Sequence, residues 1–278
     1  MRTLILGGTG TLGSAVASAC DRRQLPHLTT SYRGASESAP LDVRDADAVR
    51  ELIADYQPEA TVFAAPLDES AGVGNVAKVV ADVGGALVLF SSPEVFSADR
   101  RAFREDDAVQ PTGDRGEAFA AAERLVRDTL PERHLIVRTC DVFDAARFGH
   151  VGRIVHALSR FDPVASHPRR TVIPTFAPDV AEVALDLLRH GHTGTFHAVG
   201  PERHTPFTFA RLVAHLFGYD ADLVVADELA GEGTPTRPFL DRTRLKTLLG
   251  ANALRRPADA LRAVRAALTE GSRLRVAA

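Results

Sequence analysis

The sequence predicts an α/β fold with a doubly wound parallel sheet, and three of its features support this prediction. Short apolar runs of strand length alternate with segments of helical periodicity through the first half of the chain. The first run, "RTLILGG" at 2–8, is apolar up to its glycines, which is typical of a strand buried on both faces. A glycine-rich loop then joins this run to the first helical segment.

The first half of the chain contains five predicted strands and the helices between them. The predicted strands are 2–8, 27–33, 60–66, 86–92 and 134–140. The predicted helices are 11–23, 45–56, 74–84 and 117–130. Asp45 opens the second helix, where its carboxylate can accept N–H groups of the first turn, so we expect it to be the N-cap.

After about residue 145 the alternation is looser. The pattern predicts helices at 149–161, 177–191 and 205–218, a strand at 194–200, and two further helices near the C-terminus. Thr205 is the expected N-cap of its helix, with Pro206 in the first turn. We therefore predict a sheet domain at 1–145 and a small C-terminal lobe at 146–278, which is mostly substrate-binding and intertwined with the first.

Composition excludes several classes of function. The chain has 278 residues, of which 45% are hydrophobic and 25% charged, and its net charge of −3 gives no reason to expect a nucleic acid or an anionic membrane as partner. No apolar run approaches the roughly 20 residues that span a bilayer. The first residues do not resemble a signal peptide, and two cysteines, Cys20 and Cys140, suggest neither a disulfide framework nor a thiolate metal site. We expect a cytoplasmic protein without a metal.

The loop "LGGTGTLG" has the spacing of a dinucleotide-binding turn. After a strand and before a helix, Gly7 permits a tight turn, Gly10 lets the backbone approach a diphosphate, and Gly13 lets the helix pack closely. The predicted diphosphate site consists of Gly7, Thr9, Gly10, Thr11, Leu12 and Gly13. The fold is then expected to be Rossmann-like. The alternative is a glycine-rich turn that binds nothing.

The end of the second predicted strand indicates which nucleotide would bind. NAD enzymes usually have an acidic residue there, whereas this chain has "SYRG". Arg33 can bind a 2′-phosphate and Tyr32 can lie beside the adenine, so NADP(H) is favoured over NAD(H). The alternative is that Arg33 is a solvated loop arginine. The other residues predicted to line the cofactor site are Asp42, Val43, Ala64 and Ala65.

Several motifs, in this order, resemble one family over nearly the whole chain: "GGTGTLG", "LVLFSSPEVF", "ERHLIVRTCDVF" and "PTFAPDVAEVALDLL". The chain resembles the extended short-chain dehydrogenases/reductases, most of all the branch of dTDP-4-dehydrorhamnose reductases and related nucleotide-sugar reductases. The resemblance implies a Rossmann-like fold with a small C-terminal substrate lobe, NAD(P)H as cofactor, and reduction of a keto sugar attached to a nucleotide.

The resemblance also implies catalytic residues, and here the chain departs from the family. A Ser or Thr that ends the strand at 86–92 would bond the substrate carbonyl, and Ser92 matches it. A Tyr would act as general acid, with a Lys four residues later. When "ERLV" at 123–126 is used as the anchor, these two positions hold Arg115 and Phe119. None of the three tyrosines and two lysines forms a Tyr-x-x-x-Lys pair.

A different group must then supply the proton if the chain reduces a carbonyl. Glu94, in "SPEVF" where the family has "TDYVF", is the first choice, because the end of the strand directs it to the nicotinamide side. Arg115 keeps its own proton and would instead stabilise an oxyanion or bind a phosphate or a carboxylate. The other candidate acids are Asp68, Asp114 and Asp141, and each of the four is alternatively a solvated loop acid. The histidines of the lobe, His150, His156 and His167, are further candidates or structural residues.

Three functions fit these observations, each with a small-molecule substrate or ligand, and the chain is a possible homodimer. The first is an atypical NADP(H)-dependent reductase with a non-tyrosine proton donor. The second is a redox-silent lyase, isomerase or cyclase on the same scaffold. The third is a non-catalytic, NADP-binding regulatory subunit, as in known offshoots of the same branch.

Overall fold

The computed structural model describes residues 1–34, 38–67, 70–97, 102–145, 149–231 and 238–276. Its strands are β1 Thr3–Leu6, β2 His27–Ser31, β3 Ala39–Pro40, β4 Ala60–Phe63, β5 Ala86–Ser91, β6 His134–Arg138, β7 Val142–Phe143, β8 Val164–Ser166, β9 Thr175–Phe176, β10 Gly194–His197 and β11 Val224–Ala226. Its α-helices are α1 Thr11–Arg22, α2 Ala46–Tyr56, α3 Ser70–Val83, α4 Gly113–Thr129, α5 His150–Ser159, α6 Ala177–Arg189, α7 Pro206–Phe217, α8 Thr243–Leu249 and α9 Pro257–Val276. Within these ranges, no helix is both long and apolar enough to cross a membrane.

Seven strands form one parallel sheet in the order β3-β2-β1-β4-β5-β6-β10. All four side chains of β1 and all four of β4 are buried, as expected for strands covered on both faces. The predicted α/β fold with a Rossmann-like, doubly wound parallel sheet is therefore confirmed.

The strand order places a crevice at the carboxyl end of β1. The chain passes from β1 to β2 on one side and later to β4 on the other, and Leu6 lies opposite both Thr30 and Phe63. The loops that follow β1, β2 and β4 therefore leave the same edge of the sheet. In doubly wound folds, ligands bind at this switch point.

The helix ends follow local sequence signals. The Asp45 carboxylate accepts the backbone N–H groups of Asp47 and Ala48, which confirms the predicted N-cap of α2. Thr205 caps α7, and its capping box with Thr208 confirms the second predicted cap. Helix α4 begins at Gly113, four residues before its predicted start, because the prediction began at the first apolar turn.

The chain divides into two compact units. The first comprises Met1–Thr139, Pro178–Ala198 and Pro238–Ala253, and the second Cys140–Ala177, Val199–Arg237 and Leu254–Ala278. In the second unit, β7 pairs with β9 and β8 with β11, four short strands that the sequence pattern did not predict. A core that includes Phe143, Phe176 and Phe209 stabilises this unit. The division at 145/146 stays a prediction about domains.

Candidate functional site

Two glycines shape the loop between β1 and α1. Gly7 has a φ of +89°, and a Cβ there would lie 2.6 Å from the backbone nitrogen of Ala65. A Cβ on Gly13 would clash with the carbonyl oxygen of Gly7. Only glycine fits both positions, so α1 begins directly beside the ends of β1 and β4.

The amino end of α1 presents backbone N–H groups that no side chain caps. Gly10 is the N-cap in extended conformation, without a side-chain cap hydrogen bond. Thr9 and Gly10 are exposed, and Thr11, Leu12 and Gly13 provide the N–H groups of the first turn. Such a helix start attracts a diphosphate, because its N–H groups and the positive end of its dipole both favour an anion.

A cavity of about 560 Å³ lies at the carboxyl ends of β1, β2 and β4. Of the predicted cofactor-binding residues, its lining includes Gly7, Thr9, Gly10, Tyr32, Asp42, Val43, Ala64 and Ala65. Thr11, Leu12 and Gly13 are not in this lining and belong to the start of α1. The structure thus gathers around one crevice residues that are widely separated in the sequence.

Ser31, at the end of β2, contributes an unpartnered hydroxyl to this cavity. The residue is only 8% exposed, and its Oγ has no hydrogen-bond partner within the described chain. A buried hydroxyl without a partner is costly, so a polar group of a ligand would stabilise it. Together with the two glycines and the uncapped helix start, Ser31 makes the residues present fit a dinucleotide.

Arg44 also lines the cavity, although the sequence analysis did not single it out. Its guanidinium donates to Asp42 in a bidentate arrangement, with Nε to Oδ1 at 2.9 Å and Nη2 to Oδ2 at 2.8 Å. These hydrogen bonds lower the pKa of Asp42 to about 2 and raise the pKa of Arg44. Arg33, the arginine predicted for the 2′-phosphate, is exposed and is not among the described lining residues.

At the end of β5, Ser92 and Glu94 form a second group of polar side chains. Both are buried, at 5% and 7% exposure, and the Ser92 Oγ accepts the backbone N–H of Glu94 at 3.2 Å. Arg115, on the first turn of α4, pairs with Glu94 at 3.3 Å from Nε to Oε2. A Cβ on Gly116 would clash with the Glu94 carbonyl oxygen, so α4 packs tightly against this segment.

The other candidate acids and histidines have different surroundings. Asp114 is exposed on α4, and Asp68 lies outside the described residues. In the second unit, the Asp141 carboxylate accepts the backbone N–H of Ile173 at 2.8 Å. There the exposed His150 stacks on Phe209, His156 is exposed on α5, and the His167 Nδ1 accepts the N–H groups of Arg169 and Arg170. Desolvation by the surrounding protein lowers the pKa of His150.

A buried ion pair behind the end of β5 was not predicted. Glu123 on α4 and Arg138 on β6 are both fully buried, and Arg138 donates from Nε and Nη2 to the two carboxylate oxygens at 2.8 and 2.7 Å. Ser91, next to Ser92, donates its hydroxyl to the same carboxylate at 2.7 Å. The pKa of Glu123 is lowered, because these hydrogen bonds outweigh the opposing effect of burial. The pair thus fixes α4 against β6, and Ser91 connects it to the end of β5.

His197 on β10 completes this network. Its Nε2 lies 3.3 Å from Arg138 Nη1, and its Nδ1 lies 2.9 Å from the Asp241 carbonyl oxygen. These contacts suit a neutral imidazole that donates from Nδ1 and accepts at Nε2. Burial and the Arg138 guanidinium lower the pKa of His197 to about 3.

This pKa predicts an acid-sensitive contribution to stability. Between roughly pH 6.5 and 3 the unfolded chain binds a proton at His197 that the folded chain does not, so stability falls as the pH falls. We expect a loss of about 1.5 kcal/mol between roughly pH 6.5 and 5 from this group. Urea unfolding of the wild type and of His197→Gln at several pH values measures this loss of stability. The raised pKa of Glu105 acts in the opposite sense, so the difference between the two proteins is the relevant quantity. Equal pH slopes would contradict the assignment.

The chain is similar to known proteins. The family model described as "RmlD substrate binding domain" matches residues 1–269. The chain belongs to this family. It is thereby an extended short-chain dehydrogenase/reductase, as the motifs predicted.

Three known proteins are similar to this chain over most of its length. A dTDP-4-dehydrorhamnose reductase from Streptomyces griseus is 29% identical over 97% of this chain and 92% of its own. The crystal structure of dTDP-4-dehydrorhamnose reductase from Bacillus anthracis in complex with NADP has a TM-score of 0.83 at 18% identity, over 95% of this chain and 96% of its own. Methionine adenosyltransferase 2 subunit beta from Bos taurus is 26% identical over 89% of this chain and 82% of its own.

This RmlD-family chain has no tyrosine or lysine on α4. All its tyrosines and lysines lie in described ranges: Tyr32 beside the cavity, Tyr56 on α2, Tyr219 after α7, Lys78 on α3 and Lys246 on α8. On α4, the Arg115 guanidinium lies 5.6 Å from the centre of the Phe119 ring. That these two residues replace a catalytic pair rests on the sequence resemblance.

Proposed function

We propose that the chain is an NADP(H)-dependent reductase acting on a carbonyl group of a nucleotide sugar or a related biosynthetic intermediate. The observation that carries this proposal is the crevice at the switch point of the sheet, where the glycine turn, the uncapped start of α1 and the Ser31 hydroxyl converge. The names of the reductase relatives support the substrate class, and the NADP complex of a protein with the same fold supports the cofactor.

The cofactor would lie along this crevice. The first-turn N–H groups of α1, at Thr11, Leu12 and Gly13, bind its diphosphate. Tyr32 and Val43, which line the cavity, would flank the adenine. When bound, NADPH supplies the hydride that reduces the carbonyl carbon.

Ser92 and Glu94 then act on the oxygen of the substrate. Because the Ser92 Oγ accepts the Glu94 N–H, its own proton remains to be donated to the carbonyl oxygen. Glu94 passes a proton to the alkoxide as that forms. Arg115 stabilises the carboxylate that remains, and water returns the proton to Glu94 for the next turnover. This arrangement replaces the phenol of the family with a carboxyl group.

Glu94→Gln tests the proposal. The amide keeps the shape of the side chain but has no acidic proton, so we expect turnover with a keto nucleotide sugar to fall by about 10²-fold. The affinity for NADPH should stay within about threefold, because the residue does not line the cofactor cavity. NADPH oxidation by the full chain, across a panel of dTDP- and UDP-linked 4-keto sugars, measures the first quantity, and calorimetry measures the second.

Glu117→Gln is the matched control, since it makes the same chemical change at an exposed position of α4. It should leave turnover unchanged. If Glu94→Gln reduces the substrates as fast as the wild type, Glu94 is not the proton donor. If the wild type binds NADPH but oxidises it with no keto sugar of the panel, the reductase proposal itself fails.

A second candidate function is a non-catalytic NADP-binding subunit. Two observations favour it: a relative that covers most of the chain is named as a subunit of a methionine adenosyltransferase, and Arg115 and Phe119 occupy the positions where the resemblance implies Tyr and Lys. NADPH binding without turnover, with a partner enzyme whose activity changes when this chain is added, would support this function over the first.

A further inference from the structure

On the predicted adenosine side of the cavity, the Arg44 side chain is held in place by its neighbours. Arg44 follows the turn after β3, yet its guanidinium lies 5.6 Å from the centre of the Tyr32 ring. Tyr32 directly follows β2, which is where dinucleotide-binding folds recognise the 2′ position of the adenosine ribose. Asp42 holds the guanidinium there through two hydrogen bonds of 2.9 and 2.8 Å. Arg44, from a different loop, thus lies near the end of β2, where the sequence lacks the acidic residue that is usual in NAD enzymes.

We propose that Arg44 selects NADP(H) over NAD(H) by binding the ribose 2′-phosphate, and that Asp42 and Tyr32 position its guanidinium. The proposal rests on the proposed function, since it requires a nucleotide in this cavity. It assigns the selection to a residue other than Arg33, which the sequence pattern favoured.

The hydrogen bonds between Asp42 and Arg44 indicate which of the two side chains would bind the ligand. Asp42 could instead accept the ribose hydroxyls and so select NAD(H). However, its Oδ1 already accepts the Arg44 backbone N–H at 3.0 Å in addition to Nε, and its Oδ2 accepts Nη2. The Arg44 side chain uses the Nε–Nη2 edge for Asp42 and also interacts with the Tyr32 hydroxyl, so a phosphate would bind at the Nη1–Nη2 edge beside Tyr32. A phosphate matches this edge in geometry and charge.

Two further features support a phosphate at this point. Ser31, which lines the same cavity, has a buried hydroxyl without a partner in the described residues, so a polar ligand group that reaches it would stabilise it. A guanidinium that lies near an aromatic ring and is fixed by a carboxylate loses little conformational freedom on binding, which strengthens each hydrogen bond that it makes.

The test compares two nucleotides that differ only in the 2′-phosphate. Calorimetry of the full chain with NADPH and with NADH gives both dissociation constants for the wild type, Arg44→Gln, Arg33→Gln and Arg50→Gln. We expect Arg44→Gln to weaken NADPH binding by about 10- to 100-fold, as for the loss of hydrogen bonds to a charged group, and to change NADH binding by less than about threefold. Arg50→Gln, which removes an exposed α2 arginine paired with Asp82, should change neither.

Each other outcome has a definite meaning. If Arg44→Gln changes both constants equally or neither, or if only Arg33→Gln weakens NADPH selectively, Arg44 is not the selecting residue, while the proposed function stands. If the wild type binds neither nucleotide, the proposed function fails, and this proposal with it. Because Arg44 is largely exposed, the variant should fold, and its thermal unfolding midpoint should match that of Arg50→Gln.

Discussion

Replacing Arg138 with methionine is expected to lower the free energy of unfolding by about 3–5 kcal/mol. Both Arg138 and Glu123 are fully buried, and the bidentate hydrogen bonds between them offset the cost of removing the two charges from water. Methionine fills a similar volume but leaves the carboxylate with only the Ser91 hydroxyl and a longer contact to Arg127 at 3.3 Å. Urea unfolding followed by circular dichroism measures the effect on the transition that belongs to the first unit.

Two control proteins distinguish the effect of leaving a buried charge unpaired from the effect of removing any arginine. The double variant Arg138→Met/Glu123→Leu should recover most of the stability, because an apolar pair leaves no unpaired charge in the core. Arg50→Met breaks an exposed pair with Asp82 and should cost less than about 1 kcal/mol. A cost for Arg138→Met no larger than that for Arg50→Met would contradict the role assigned to the buried pair.

The fold was predictable because its signals are local. Four-residue buried strands such as β1 read as apolar runs, and α2 begins where the Asp45 carboxylate can cap it. The position of β10 in the sheet was not predictable in this way. It pairs with β6, so that Gly194 lies opposite Leu135. A contact between residues so far apart in the sequence produces no local pattern from which it could be predicted.

The same distinction applies to the candidate site. The glycine turn occupies consecutive residues, so its geometry follows from the motif. The sequence singled out Glu94 and Arg115 separately, but it did not predict that they pair. Arg44 was missed because its partner ring, Tyr32, lies on another loop.

The sequence contains a signal for the buried network, because two of its charged residues stand at core positions of the pattern. Glu123 interrupts the apolar face of α4 after Ala122, and Arg138 ends a strand in which the three residues before it are apolar. Charged residues at positions of core periodicity are seldom buried without a partner of opposite charge. A search for such pairs would have proposed that Glu123 meets Arg138, although not that His197 joins them.

Gly13→Ala is expected to weaken NADPH binding by roughly 100-fold or more. The new methyl group would overlap the carbonyl oxygen of Gly7, and Gly7 cannot move aside, because its N–H donates to the Thr30 carbonyl at 3.0 Å and its other face lies against the backbone of Ala65. Helix α1 must therefore shift outward, and its first-turn N–H groups lose their alignment with the diphosphate. Each misaligned hydrogen bond to a charged group costs about 1.5–3 kcal/mol, so two of them suffice for this effect.

Gly74→Ala provides the matched control, because a methyl group at this position of α3 meets only the end of the Leu125 side chain at an ordinary 3.4 Å. It should keep the wild-type affinity and slightly raise helix stability. Calorimetry with NADPH and thermal unfolding of both variants compare the two positions. In the proposed binding mode the diphosphate lies at the start of α1, which the glycine contact holds against the sheet. Wild-type affinity in Gly13→Ala would mean that the nucleotide, if it binds, does not depend on this turn.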